Sequence, residues 1–219
     1  MQANSLISRR VFHTQVLLGA ALPWLAACGR GQGKGQPVPP GSTVLALGDS
    51  LTHGTGAAPE AAYPKVLANL TGWRVVNAGV PGDTSAQALA RLPALLAEHR
   101  PALVIVSIGG NDFLRRLPES DTRAHIHAIC QQAQRSGAQV LLVAVPRLSL
   151  AAALGSLSDH SLYEDVANDL KVALQREGWS QVLSQPELRS DAVHANAQGY
   201  ARFASSLRDA AVAAGFLSR

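Results

Sequence analysis

A chain of 219 residues, 47% of them apolar, can enclose one continuous core and is too short for several. Its formal charge of +4 falls to +2 once Arg9 and Arg10 are set aside with the leader segment that holds them. No further basic cluster stands out, and the 5% of aromatic residues are too scattered for a stacking stripe, which argues against a nucleic-acid partner.

Arg9 and Arg10 precede the apolar run Val16–Ala27, so residues 1–27 have the order of an export signal. The run is shorter than the about 20 apolar residues that a bilayer span requires. Leu25-Ala26-Ala27-Cys28 resembles the lipobox of bacterial lipoproteins, where the cysteine thiol takes a diacylglycerol and becomes the first residue. Ser8-Arg9-Arg10-Val11-Phe12 is similar to the twin-arginine export motif, although His13 departs from it. An ordinary signal peptide with a coincidental cysteine is the alternative. The resemblance implies an exported lipoprotein on the periplasmic side of a bacterial cell envelope. Two acyl chains on Cys28, at about 0.8 kcal/mol per buried methylene, would hold it to the membrane surface. Residues 28–42 are then a lipidated cysteine and a tether, since Gly29 to Gly41 is dominated by Gly, Gln and Pro and has little to bury. Lipidation of Cys28 leaves Cys130 without a disulfide partner; among Ile126, Ile129 and Ala133 it reads as a small buried hydrophobe.

From residue 43 to 219 short apolar runs alternate with helical patterns. Thr43–Leu47, Arg74–Ala78, Leu103–Ile108 and Gln139–Val145 read as strands covered on both faces. Helical spacing predicts helices over Ala61–Leu70, Ser85–Glu98, Thr122–Ser136, Leu162–Glu177 and Ala197–Ala214. Asp121 is the expected N-cap of the third and Gly137 its terminator, and a short fifth strand is placed near Trp179–Leu183. The alternation predicts a three-layer α/β/α sandwich with a mostly parallel, flavodoxin-like central sheet of about five strands. In such sheets ligands bind beyond the carboxyl ends of the strands. Ser50, Gly82 and Asn111 follow the first three strands, and Asp191 and His194 sit in the loop before the last helix.

A serine hydroxyl needs a base within hydrogen-bond reach and a third group to orient that base. Asp191-Ala192-Val193-His194 supplies both: the carboxylate can accept the Nδ1 proton, leaving Nε2 to take the proton of Ser50. The oxyanion then needs fixed donors, for which the N–H groups of Ser50 and Gly82 and the side-chain amide of Asn111 are candidates. His125 and His127, two apart on one helix, point to different faces and do not form a metal pair; no metal cluster is visible in the sequence. His53 lies in the turn after Ser50, and Asp49 reads as a structural hydrogen-bonding residue.

Gly48-Asp49-Ser50-Leu51, Gly82 within Ala78-Gly79-Val80-Pro81-Gly82-Asp83-Thr84, Asn111 within Gly109-Gly110-Asn111-Asp112, and Asp191 to His194 resemble, in order, the blocks of the SGNH or GDSL hydrolases. The likeness spans about Val44 to Phe203 and is strongest to the thioesterase, lysophospholipase and arylesterase subgroup; Ala195 stands where members often carry proline. It implies a catalytic triad of Ser50, Asp191 and His194, and an oxyanion hole of Ser50, Gly82 and Asn111. It further implies hydrolysis of carboxylic esters, with thioesters and lysophospholipids as candidate substrates, through an acyl-serine intermediate and without a cofactor. Removal or transfer of acetyl groups on envelope carbohydrates is one alternative; a non-catalytic lipoprotein that binds an acyl chain or glycan is another. Phe113, Leu114 and Leu148, with Leu117 and Leu150, are candidates to line an acyl groove or are ordinary packing. The expected partners are a small-molecule or lipid ester and the membrane surface, and the protein is expected to be a monomer.

Overall fold

The computed structural model of the chain describes residues 1–2, 35–147 and 157–218. Among them β1 (Thr43–Gly48), β2 (Arg74–Gly79), β3 (Leu103–Ser107), β4 (Gln139–Val143) and β5 (Ala173–Gln175) form one sheet of order β2-β1-β3-β4-β5, with every pairing parallel. Val44 to Leu47 and Leu103 to Val106 are wholly buried, which is why these inner strands read as unbroken apolar runs rather than as alternating ones. The helices are α1 (Ser50–His53), α2 (Tyr63–Thr71), α3 (Ser85–His99), α4 (Gly110–Leu114), α5 (Glu119–Arg135), α6 (Leu162–Leu170), α7 (Gly178–Leu183) and α8 (Ala197–Ala213). The crossovers between parallel strands put α2 and α8 together on one face of the sheet and α3, α5 and α6 on the other. Strand order reverses beside β1, and the crevice of a doubly wound sheet opens at that switch point. Ser50 stands directly behind it.

Buried aromatics tie the helices to the strand ends that matter. Trp179 of α7 stacks on Phe203 of α8 with ring centres 3.5 Å apart, and Tyr63 of α2 meets the same Phe203 edge-on at 4.9 Å. The Trp179 indole N–H donates to Ser107 Oγ at the end of β3 (3.0 Å). One residue further, the Tyr163 hydroxyl donates to the Ile108 carbonyl (2.7 Å), where β3 turns toward Asn111. Gly109 is needed in that turn: its φ is +118°, and a Cβ there would lie 2.5 Å from the Tyr163 hydroxyl.

The structure corrects the expected elements in three places. The segment Trp179–Leu183, expected as a fifth strand, is helix α7, and the fifth strand is Ala173–Gln175. The helix expected to run from Leu162 to Glu177 stops at Leu170, because Lys171 adopts a left-handed conformation (φ +54°) and turns the chain into β5. No glycine marks the stop, and Leu162, Val166, Leu170, Ala173 and Leu174 keep helical spacing across it, so the pattern runs on where the helix does not. The N-cap of α5 is Pro118, and Asp121 lies in its first turn, where a carboxylate still favours the positive end of the helix.

The tail ahead of β1 is packed rather than free from Gly35 onward. Val38 is buried, its N–H donates to the Phe216 carbonyl (2.8 Å) and its carbonyl accepts the Trp73 indole N–H (2.9 Å). Burying one valine contributes about 2 kcal/mol. Fixing a residue's backbone costs about 1–2 kcal/mol, so that contact alone cannot hold six residues. Pro37, Pro39 and Pro40 enter with φ already set, and Gln36 adds two bonds to Gln139, at 2.6 and 2.8 Å. The leader and Cys28 lie outside the described residues.

Candidate active site

Four separate segments meet beyond the carboxyl ends of β1, β2 and β3. Ser50 is the first residue of α1, behind a turn in which the Asp49 carboxylate accepts the Leu51 N–H (3.0 Å). In the loop before α8 the spacing of Asp191 and His194 makes a tight local turn. Asp191 Oδ1 accepts the backbone N–H groups of Val193 and His194, both at 2.9 Å, and Oδ2 lies 2.7 Å from His194 Nδ1. An ionised carboxylate can only accept, so Nδ1 carries the proton and Nε2 is left as an acceptor. Nε2 lies 2.9 Å from Ser50 Oγ. Partial burial pushes the Asp191 carboxyl up, but the bonds from Val193 and His194 outweigh it and hold the group below its ordinary value. The chain Asp191–His194–Ser50 can therefore withdraw a proton from the serine hydroxyl as the oxygen attacks.

The opposite wall is built from the loops after β2 and β3. Gly82 has φ +84°, a conformation that leaves its backbone clear to face a ligand, and Arg115 Nη2 grips its carbonyl (2.7 Å). Asn111 Nδ2 donates to the Asp83 carbonyl (2.9 Å) and has Asp49 Oδ2 at 3.5 Å, too long for a strong bond. One of its two N–H bonds is thus spent on orientation and the other is available to a substrate oxygen. Next to Asn111, the Asp112 carboxylate is buried and takes the Ser85 N–H (2.9 Å), the Ser85 hydroxyl (2.5 Å) and the Thr122 hydroxyl (3.3 Å), which pins α4 to α3 and α5. Burial pushes the Asp49 carboxyl up to about 7, with the Leu51 N–H and the His194 charge pulling the other way.

Ser50, Gly82, Asn111 and His194 share a cavity of about 270 Å³ whose apolar lining comes from Leu51, Pro81, Leu114 and Val193. A larger cavity of about 630 Å³ lies beyond β4 and β5, but the Asp159 carboxylate in it is already taken by the Glu177 N–H and the Ser180 hydroxyl. What sets the smaller cavity apart is that its hydroxyl, Ser50 Oγ, lies 2.9 Å from an imidazole nitrogen whose ring is held by a carboxylate.

Of the expected groove residues, Leu114 lines the cavity and is exposed, whereas Phe113 is buried and stacks on the His160 ring at 4.7 Å. Leu117 is exposed and not part of the lining; Leu148 and Leu150 lie outside the described residues. His53 is exposed on α1, and His125 faces the Ser85 hydroxyl through Nδ1 (3.1 Å). Cys130 is wholly buried, and burial pushes its thiol up to about 12, so it is inert packing. Arg91, Asp83, Asp112 and Arg115 were not singled out from the sequence. Two signals were there: an acidic residue flanks both Gly82 and Asn111, and Arg91 follows Asp83 by two helical turns.

The chain is similar in sequence and fold to known proteins. The GDSL-like Lipase/Acylhydrolase family profile matches residues 46–202. The thioesterase 1/protease 1/lysophospholipase L1 of Escherichia coli (strain K12) is 36% identical over 162 residues, covering 70% of this chain and 76% of that protein. Among solved structures, that of TesA superposes with a TM-score of 0.70 at 30% identity, over 78% of this chain and 99% of the other. AlinE4, an SGNH-hydrolase family esterase, superposes with a TM-score of 0.61 at 29% identity, over 81% of this chain and 98% of its own.

Proposed function

Since the chain belongs to the GDSL-like lipase/acylhydrolase family and is an ester hydrolase, we propose that Ser50 is its nucleophile, His194 its general base and acid, and Asp191 the residue that orients the imidazole. The observation that carries this reading is the continuous chain from Asp191 Oδ2 through His194 to Ser50 Oγ, at 2.7 and 2.9 Å, opening on a cavity with N–H donors on its far wall. Ser50 Oγ attacks the ester carbonyl while Nε2 takes its proton, and the oxyanion is received by the N–H groups of Ser50 and Gly82 and by Asn111 Nδ2. His194 then gives the proton to the departing alkoxide, leaving an acyl-Ser50. Water, deprotonated by the same nitrogen, attacks the acyl group and regenerates the serine. No step calls for a cofactor, and all three triad residues come from one chain, which supports a monomer as the working unit.

The cavity is small for a lipid chain, since sites for drug-sized ligands run from about 300 to 1,000 Å³. Hydrolysis of p-nitrophenyl esters is therefore expected to be fastest for short acyl groups and to fall off by palmitate, and a fluorophosphonate should label the Ser50 peptide stoichiometrically. A protein that is neither labelled nor hydrolytic at any chain length would be a binder and not an esterase. Palmitate preferred over butyrate would refute the short-chain assignment.

We also propose that the protein is exported and anchored through a diacylglycerol on Cys28, on the periplasmic side of a bacterial envelope. The supporting features are Arg9 and Arg10, the apolar run Val16–Ala27 and the Leu25-Ala26-Ala27-Cys28 sequence. Cells fed an alkyne-tagged fatty acid should label the wild-type protein and not Cys28→Ala; unlabelled wild type would reject the anchor.

A further inference from the structure

Arg91 sits in the second turn of α3, three-quarters buried, with its guanidinium wedged between two loops of the site. Its Nε donates to Asp83 Oδ2 (2.7 Å) and its Nη2 to the carbonyl of Gly48 (2.9 Å), the last residue of β1 and two before Ser50. Asp83 is itself buried, and its backbone carbonyl holds the Asn111 amide. One side chain thus joins the strand that delivers the nucleophile to the residue that orients an oxyanion donor.

Resting on the serine-esterase reading above, we propose that Arg91 is a positioning residue for the oxyanion hole, fixing the Asp83 carbonyl so that Asn111 presents its second N–H to the developing charge. The alternative is a purely structural ion pair. Three features favour the positioning role. The bonds run to the loops of Gly82 and Ser50 rather than to the helix that carries Arg91. The Asp83 end is nearly closed to water, with a side chain 9% exposed, so the pair is not a solvent-screened surface contact. Finally, an Asn111 amide without the Asp83 carbonyl could turn toward Asp49 Oδ2, now 3.5 Å away, and lose its aim.

A donor removed from an oxyanion hole lowers kcat by about 10²–10³-fold, and one left in place but badly aimed should forfeit part of that. Arg91→Ala is therefore expected to lower kcat on p-nitrophenyl butyrate by about 10–100-fold with KM within about threefold. Arg91→Lys keeps the charge and can make one of the two bonds, so it should fall between the two. The decisive reading is the double-mutant cycle with Asn111→Ala. If Arg91 acts through Asn111, adding Arg91→Ala to the Asn111→Ala enzyme should change kcat by less than about threefold. Losses that multiply in the double variant, or a raised KM with kcat unchanged, would overturn the proposal. Should Arg91→Ala not fold, as judged by circular dichroism, the Lys variant and Asp83→Asn carry the same cycle. Wild-type hydrolysis that persists in Ser50→Ala would overturn the serine reading and this inference together; a Ser50-dependent enzyme indifferent to Arg91 would overturn only the inference.

Discussion

Ser50→Ala is expected to lower kcat on p-nitrophenyl esters by about 10⁴–10⁶-fold with little change in thermal stability. The hydroxyl is the atom that forms the new bond to carbon, and a methyl group leaves His194 Nε2 with no oxygen to deprotonate at 2.9 Å. The N–H donors at Gly82 and Asn111 would remain, so slow attack by water on a polarised carbonyl is the residual route. Stability should hold because the side chain is only half-buried and Asp49 still caps α1 through the Leu51 N–H. Steady-state kinetics with a thermal melt check both halves. A variant within tenfold of wild type would mean that another group carries the hydrolysis.

Asp191→Asn is the second large effect, expected at about 10³-fold in kcat, equivalent to about 4 kcal/mol of barrier. The Asn carbonyl oxygen can still accept the N–H groups of Val193 and His194, so the turn survives. What changes is the group facing Nδ1: an amide NH₂ placed there donates, favouring the ring tautomer that puts the proton on Nε2, where it cannot receive one from Ser50. The loss should be smaller than the about 10⁴-fold found where such a carboxylate is buried, because the Asp191 side chain is 53% exposed and water can stand in for part of its role. A loss below about tenfold would show that His194 is oriented by something other than Asp191.

The sequence was most readable where the chemistry is local. Asp191 and His194 are three residues apart, Ser50 follows its strand by two, and buried parallel strands announce themselves as runs such as Leu103 to Val106. Function crowded onto strand ends, so locating the strands located the site. What escaped depends on contacts between distant segments. Asp83 and Asn111 are 28 apart and Arg91 and Gly48 are 43 apart, and no local pattern says that one side chain spans them. The fifth strand was lost because a non-glycine residue, Lys171, took the left-handed turn that usually marks a helix end. The packed tail is invisible in composition, which averages over Val38 and says nothing of the bonds from Gln36 to Gln139, 103 residues away.

That tail also closes the end of the sheet away from the site. Gln36 bonds to the first residue of β4, the Val38 carbonyl takes the Trp73 indole just ahead of β2, and Gly41 bonds to Gly72, so the segment runs along the amino ends of the strands. Residues 35–41 therefore lie at the pole of the sheet opposite Ser50, which stands beyond the carboxyl end of β1, so substitutions at Gln36 or Val38 act on the fold without touching the atoms that react.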